Sequence, residues 1–274
     1  MSGDEALWFS QRALSPRSAE LEWRMRVVAL IPAAGRGRRM GSPKTKALLP
    51  LGGIPLLTHT LQKFATCSQV DEIFALVPAG DLPLWNEEIL HRPDLKKVSR
   101  ILPGGPERQD SVYGGLRAIA GKADFVIIHD GVRPFVSPEL IERILLATRR
   151  HKAVVAAVPA GDTIKEISGE GEVLKTLDRN RLWIIQTPQS FELGLIIKAH
   201  ERAREEGFYG TDDASLVERL GVSVHIVEGS RFNFKITTPE DLILGEALLN
   251  HLNEISCQRS AFSGQQEGIK VPVK

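Results

Sequence analysis

The sequence predicts an α/β fold, a mostly parallel sheet with helices on both faces, and three observations carry that prediction. Short apolar runs alternate with stretches of helical period along most of the chain. Two helix starts, Ser137-Pro138-Glu139 and Thr238-Pro239-Glu240-Asp241, combine a cap, a proline at the first position and an acid in the first turn. The apolar run Val27 to Ile31 feeds straight into a glycine-rich loop, and sheets of this kind hold their ligands at the carboxyl ends of the strands.

Taken in order, strands are expected at 27–33, 72–78, 98–102, 124–129, 153–159 and 222–228. Helices are expected at 54–66, 82–91, 109–120, 138–151, 191–206 and 239–251. Val112, Leu116 and Ile119 keep helical spacing, as do Leu140, Ile141, Ile144 and Leu145. One segment breaks the alternation. From Asp162 to Gln186, the runs Thr163–Ile167 and Val173–Leu177 flank Ser168-Gly169-Glu170-Gly171 and read as an inserted β-hairpin arm, about 160–186. A lone hairpin is marginal in water, so it must rest on its own domain or on a second subunit.

Length and composition bound the function. The 274 residues suffice for one large α/β domain or two small ones, and a net charge of +1 gives no global field toward nucleic acid or membrane. Cys67 and Cys257 lie far apart and read as free thiols of a reducing compartment, here the cytoplasm. No apolar run approaches the ~20 residues of a spanning helix. Residues 1–25 lack an apolar signal core and carry Asp4, Glu5, Glu20 and Glu22, unlike a transit peptide. They read as a disordered extension, or as sequence ahead of Met25 as the effective start. The domain proper is expected over 26–250, with 251–274 a polar, flexible tail.

The basic loop is the strongest chemical signal. Ile31-Pro32-Ala33-Ala34-Gly35-Arg36-Gly37-Arg38-Arg39-Met40-Gly41-Ser42-Pro43-Lys44-Thr45-Lys46 follows a buried strand with small residues and five cations, and no acid. Such a loop can neutralise several phosphates with backbone N–H groups and side chains together. It is not a dinucleotide fingerprint, since Met40 stands where a third glycine or alanine belongs, nor a P-loop, which needs Gly-Lys-Ser/Thr.

Four further constellations follow. Phe125 to Ile128 delivers His129-Asp130 to a strand end, where Asp130 would hold Mg²⁺ against phosphates or cap the next turn; His129 reads as a structural hydrogen-bonding histidine. Gly104-Gly105-Pro106-Glu107-Arg108-Gln109-Asp110-Ser111 allows close backbone approach, with Ser111 able to bond a base or cap its own backbone. Arg179, in Asp178-Arg179-Asn180-Arg181-Leu182-Trp183, has the planar fork that suits a substrate phosphate. Asn233-Phe234-Lys235-Ile236-Thr237 adds a cation just before a capped helix.

Together these motifs resemble the cytidylyltransferase family. The resemblance rests on Ala33-Ala34-Gly35-x-Gly37-x-Arg39-Met40 with Lys46, then Gly104-Gly105-x-Glu107-Arg108-x-x-Ser111-Val112. It continues through His129-Asp130-x-x-Arg133-Pro134, Asp178-Arg179-x-x-Leu182-Trp183, Thr187-Pro188-Gln189, Thr211-Asp212 and Asn233-x-Lys235-Ile236-Thr237. It covers roughly 26–250 in the family's order and is nearest the branch acting on methylerythritol phosphate.

The resemblance implies a Rossmann-like sheet and a reaction in which CTP and methylerythritol phosphate give the CDP-alcohol and pyrophosphate with Mg²⁺. It implies that Arg39, Lys46 and Lys235 are the catalytic cations. Ala33, Ala34, Gly35, Gly37, Gly105, Ser111 and Asp130 would bind the nucleotide, with Asp130 also the metal ligand. Arg133, Thr163, Arg179, Thr187, Thr211 and Lys235 would surround the acceptor. It further implies a homodimer in which the arm carries Thr163 and Arg179 to the neighbour's site, with no nucleic-acid or membrane partner. Departures are Ala47-Leu48-Leu49 after the lysine, Gly131-Val132 where two alanines are common, and Pro106 for an acid, which leaves a ribose contact there open. Rival readings are a ribitol-5-phosphate cytidylyltransferase, against which Asp178-Arg179-x-x-Leu182-Trp183 speaks, a nucleotide-sugar pyrophosphorylase, and a non-catalytic nucleotide-binding regulator.

Overall fold

The computed structural model describes residues 25–35 and 45–266. In chain order the strands are β1 (Val27–Pro32), β2 (Pro50–Leu51), β3 (Ile54–Pro55), β4 (Glu72–Val77), β5 (Val98–Pro103) and β6 (Phe125–Ile128), then β7 (Ala153–Pro159), β8 (Lys165–Ile167), β9 (Val173–Thr176), β10 (Trp183–Glu192) and β11 (His225–Glu228). The helices are α1 (Leu56–Thr66), α2 (Leu82–Leu90), α3 (Arg108–Ile119), α4 (Pro138–His151), α5 (Leu193–Glu205), α6 (Asp213–Arg219) and α7 (Pro239–Gln266).

Seven strands make the main sheet in the order β11-β7-β10-β6-β1-β4-β5. Neighbours pair in parallel except β10, which runs antiparallel to both β6 and β7. β1 is central and buried throughout, and its pleat divides the core. Val27, Ala29 and Ile31 join the apolar layer of α1, α2 and α4, while Val28 and Leu30 join that of α3, α5 and α6. A continuous apolar run, rather than an alternating one, is what a strand covered on both faces requires.

Residue chemistry sets the boundaries. The Ser137 hydroxyl accepts the Leu140 N–H at the start of α4, and Lys152 closes that helix in the left-handed region at φ 64°. The turn between β2 and β3 uses Gly52 and Gly53 at φ 57° and 82°, a conformation that leads tight hairpins back on themselves. A third apolar cluster, Leu51, Leu56, Val132 and Ile236, packs under Leu242 and Leu249 of α7 and clamps residues 235–237 against that turn.

The expected strands and helices are present, with strand ends moved by at most three residues. Four labelled elements were not anticipated: the two-residue strands β2 and β3, of which β3 takes the first two residues of the helix expected from 54, and also β10 and α6. β10 is broken in sequence by Pro188 and in register between Ile185 and Gln189, so it does not read as a strand. Its first residues, Trp183–Ile185, pair with β7, which leaves the arm proper as the β8–β9 hairpin and its flanks. α6, seven residues long, is too short for a helical period to register. The last helix, expected over 239–251, runs to Gln266; after Gly245 no glycine or proline interrupts it until Gly264.

Candidate active site

Four backbone hydrogen bonds tie the carboxyl ends of the central strands side by side. Ala33 N–H donates to the Leu76 carbonyl (2.8 Å), Gly104 N–H to Val77 (2.7 Å), His129 N–H to Leu30 (3.0 Å) and Gly131 N–H to Pro32 (3.0 Å). Two glycines make the approach possible. A Cβ on Gly104 would stand 2.3 Å from Ala34 Cβ, and one on Gly131 would stand 2.9 Å from Ala33 Cβ. Ala33, Ala34, Gly105, Ser111 and Asp130 are thereby brought to one edge of the sheet. Ser111 takes the capping option of its two: its hydroxyl accepts the Gly105 N–H (3.0 Å) and donates to the Glu107 carbonyl (3.1 Å). Gly35 ends the described part of the loop; Gly37 and Arg39 lie outside the described residues.

Asp130 is the centre of charge. Its carboxylate is 8% exposed and meets three cations: Arg108 Nε at 3.0 Å, Lys235 Nζ at 3.0 Å and Arg133 Nε at 3.4 Å. Burial alone would push its carboxyl up, but Arg108, then Lys235 and Arg133, outweigh it and hold the group well below the usual carboxylate range. Arg108 continues inward to buried Asp213 (2.8 Å), which in turn faces buried His200 (3.3 Å). Burial lowers the Arg108 guanidinium, yet Asp213 and Asp130 together raise it, so it stays charged.

The backbone of Asp130 is fixed as firmly as its side chain. Its N–H donates to Thr187 Oγ1 (3.1 Å), and Thr187 Oγ1 lies 3.0 Å from His129 Nδ1. His129 Nε2 faces the Arg133 carbonyl at 3.1 Å, so that nitrogen carries the proton and Nδ1 accepts from the threonine hydroxyl. Burial is the first cause that pushes the imidazole down to about 3, which keeps it neutral. Asn233 then locks the facing loop, its Nδ2 donating to the Thr187 carbonyl (2.7 Å) while its own carbonyl accepts from Arg133 Nη1 (2.8 Å). The register break in β10 is what turns Gln186 and Thr187 out of the ladder and toward these partners.

The other expected residues divide into two groups. Lys46 reaches the same segment as Lys235, donating to the Thr237 carbonyl at 2.9 Å. Thr211 is exposed, two residues before Asp213 and so one arginine removed from Asp130. Thr187 is 4% exposed and its hydroxyl is engaged with Asp130 and His129. Thr163 and Arg179 stand apart on the arm: among the described residues no hydrogen bond or ion pair joins either to the Asp130 group. Arg179 Nη1 instead donates to the Gly161 carbonyl at 3.1 Å.

Sequence reasoning gave Arg108 no task, although it is the link between the two buried acids. The signal was present, an arginine opening α3 beside two glycines, but its partners are far away in sequence.

The family model for IspD, 2-C-methyl-D-erythritol 4-phosphate cytidylyltransferase, matches residues 27–251. A curated protein of that name from Syntrophus aciditrophicus is 48% identical over 224 residues, covering 82% of this chain and 96% of that one. Its counterpart from Geobacter metallireducens is 49% identical over 228 residues, covering 82% and 98%. The crystal structure of 4-diphosphocytidyl-2C-methyl-D-erythritol synthase from Anaerococcus prevotii superposes with a TM-score of 0.73 at 32% identity, over 83% of this chain and 100% of that one. The 2-C-methyl-D-erythritol 4-phosphate cytidylyltransferase of Thermus thermophilus gives 0.67 at 38%, over 82% and 98%. With the motifs, the sheet and these likenesses in agreement, the chain belongs to the 2-C-methyl-D-erythritol 4-phosphate cytidylyltransferase family of nucleotidyltransferases.

Proposed function

We propose that this protein transfers CMP from CTP to 2-C-methyl-D-erythritol 4-phosphate, releasing pyrophosphate and forming 4-diphosphocytidyl-2-C-methyl-D-erythritol for isoprenoid biosynthesis. The observation that carries the reading is the gathering of Arg108, Arg133 and Lys235 on Asp130, with Lys46 on the adjoining segment, at the carboxyl end of β6 beside β1. An excess of fixed cations over acids at a strand end suits a triphosphate. An acceptor phosphate oxygen attacks the α-phosphorus of CTP, a new P–O bond forms, and the bond to pyrophosphate breaks. The nucleophile is already an anion, so no general base is required; positioning and neutralisation of growing charge supply the acceleration. Lys46 and Arg39 are assigned to the α-phosphate and the leaving pyrophosphate. Lys235 serves the acceptor phosphate as well, with Arg133, Thr187 and Thr211 around it.

Asp130 provides one hard carboxylate, and among the described residues no cluster of three or more His, Cys, Asp or Glu forms a cage. That donor set suits Mg²⁺, which takes one or two carboxylates and completes its shell with phosphates and water. Asp130 would hold the ion once its cationic partners turn to the phosphates, and the ion would neutralise phosphate charge.

The arm supports a homodimer. Ile167, Val173 and Leu174 are all about 60% exposed on a hairpin too small to stand alone, and apolar surface of this kind calls for a partner. Docked on a second copy, the arm would bring Thr163 and Arg179 to the neighbour's acceptor site, an isologous exchange. No helix among the described residues is long and apolar enough to cross a membrane. A cytoplasmic location is part of this reading, in keeping with Cys67 and Cys257 read as free thiols of a reducing compartment.

Pyrophosphate release with CTP and each of methylerythritol phosphate, ribitol 5-phosphate and a sugar 1-phosphate tests the reading. Release with the first alone is expected. Release only with another acceptor, or with none, overturns it.

A further inference from the structure

The loop that leads to Lys235 also presents a second cation, Arg231, which is not among the three that meet Asp130. Residues 229–233 are pinned from both sides. Gly229 N–H donates to the Ala157 carbonyl (2.7 Å), Gln186 Nε2 donates to the Ser230 carbonyl (2.8 Å), and Asn233 is fully buried with its Nδ2 on Thr187. Arg231 stands at the exposed tip of this pinned turn. Its guanidinium lies over Gly161: a Cβ added there would stand 3.0 Å from Nη2 and 3.3 Å from Nη1. The carbonyl of the same residue is taken by Arg179, whose Nη1 donates to it at 3.1 Å.

Two guanidiniums therefore converge on one glycine at the base of the arm. Among the described residues neither forms an ion pair, although Asp162 and Asp178 are neighbours in sequence. Asp178 spends its carboxylate capping the next turn, where it accepts the Asn180 N–H. Both side chains are exposed, so water screens their mutual repulsion, and an anion placed beside the two forks would be attracted by both. The pinned loop fixes the backbone of Arg231 and the Gly161 carbonyl anchors Arg179, so both forks start near the place an anion would take.

We propose that Arg231 is a second phosphate-binding arginine, paired with Arg179, for the phosphate monoester of the acceptor. The inference rests on the reaction proposed above and adds to it a residue outside every motif by which the family was recognised. Gly161 has a role in the same site: lacking a side chain, it leaves room for the Arg231 fork, which a Cβ there would crowd at 3.0 Å. Because Arg179 and Arg231 meet on the same chain, they serve one site together, whichever subunit's nucleotide they face. A planar guanidinium offers two parallel donors to a phosphate, so lysine at 231 would keep the charge but lose the fork.

The test compares wild type, Arg231→Gln, Arg231→Lys and Arg179→Gln in two measurements. Steady-state rates at saturating CTP give KM for the acceptor, and calorimetric titration with inorganic phosphate gives affinity without turnover. Arg231→Gln should raise acceptor KM and weaken phosphate binding each by about tenfold, with KM for CTP and the melting temperature unchanged. Arg231→Lys should recover part of the loss. Wild-type KM and wild-type phosphate affinity in Arg231→Gln would overturn the proposal, as would weakened phosphate binding with unchanged acceptor KM, which would place the anion elsewhere. Phosphate binding that needs both arginines in a protein releasing no pyrophosphate would keep the anion site, while refuting both its assignment to the acceptor and the reaction.

Discussion

The edge of the sheet and the arm are built on opposite principles. At the edge, Asp130 is held through its backbone by Thr187, through its side chain by three cations, and through Arg108 by a second buried acid. The Asp130 carboxylate and N–H are both partnered within the chain, although buried Arg108 Nη2 and Asn233 Oδ1 beside them have no hydrogen-bond partner. On the arm, by contrast, β8 and β9 are exposed at every residue, and Arg179 rests on a backbone carbonyl. The edge is finished by folding and the arm is not. Chemistry that depends on fixed charge belongs to the first, because preorganised charges need no rearrangement as the reaction proceeds. Contacts that another molecule must complete belong to the second.

If this division is right, substitutions at the two places should fail in different ways. The largest effect is expected for Asp130→Asn, a loss on the order of 10²–10³-fold in kcat with circular dichroism unchanged. A magnesium titration of rate that stays at wild-type level would make the carboxylate a structural cap. Next, Arg179→Ala should lose on the order of 10²-fold in kcat/KM for the acceptor, the value of a charged phosphate contact, with no change in melting temperature. A fall in melting temperature would mean that the arm is part of the folded core.

Smaller effects sharpen the contrast. Thr187→Val keeps the shape but strands the Asp130 N–H and His129 Nδ1, and should destabilise the protein by about 1–3 kcal/mol in denaturant unfolding. His129 makes the edge sensitive to acid. Its folded pKa is depressed to about 3 by burial, so the stability it contributes is present above the unfolded value of about 6.5 and is lost as pH falls below it. Unfolding free energy should drop by up to ~1.4 kcal/mol per pH unit between about 6.5 and 4, and His129→Gln should flatten that slope. Leu174→Asp, on the exposed arm, should change single-chain stability by no more than about 0.5 kcal/mol. It should nevertheless shift the protein from dimer to monomer in analytical ultracentrifugation.

How much of this was legible in the sequence also follows the division. β1 and β6 announce themselves as apolar runs ending in glycine or His-Asp, and α4 and α7 by their Pro-Glu starts. These are local signals with a period or a cap behind them. β10 was missed because its pairing survives a proline and a register break, both of which argue against a strand when read alone. Arg108 was missed because nothing local distinguishes it; its meaning comes from Asp130, 22 residues on, and from Asp213 on a helix too short to detect. Nor could spacing along the chain show that the Thr187 hydroxyl meets Asp130 and His129, a contact set by how β10 lies beside β6. Spacing along the chain gives the elements; which side chains meet is decided by the sheet order.

An edge held within one chain should work with an arm supplied by another. Mixing Arg179→Ala subunits with Lys46→Ala subunits tests it most directly. Each parent alone should be nearly dead at acceptor concentrations far below KM. In a mixed dimer, one site has both residues intact and the other has neither, so pyrophosphate release should return in part as subunits exchange. If exchange is complete by mass and the mixture stays as inactive as its parents, Arg179 serves its own subunit and the shared site does not exist.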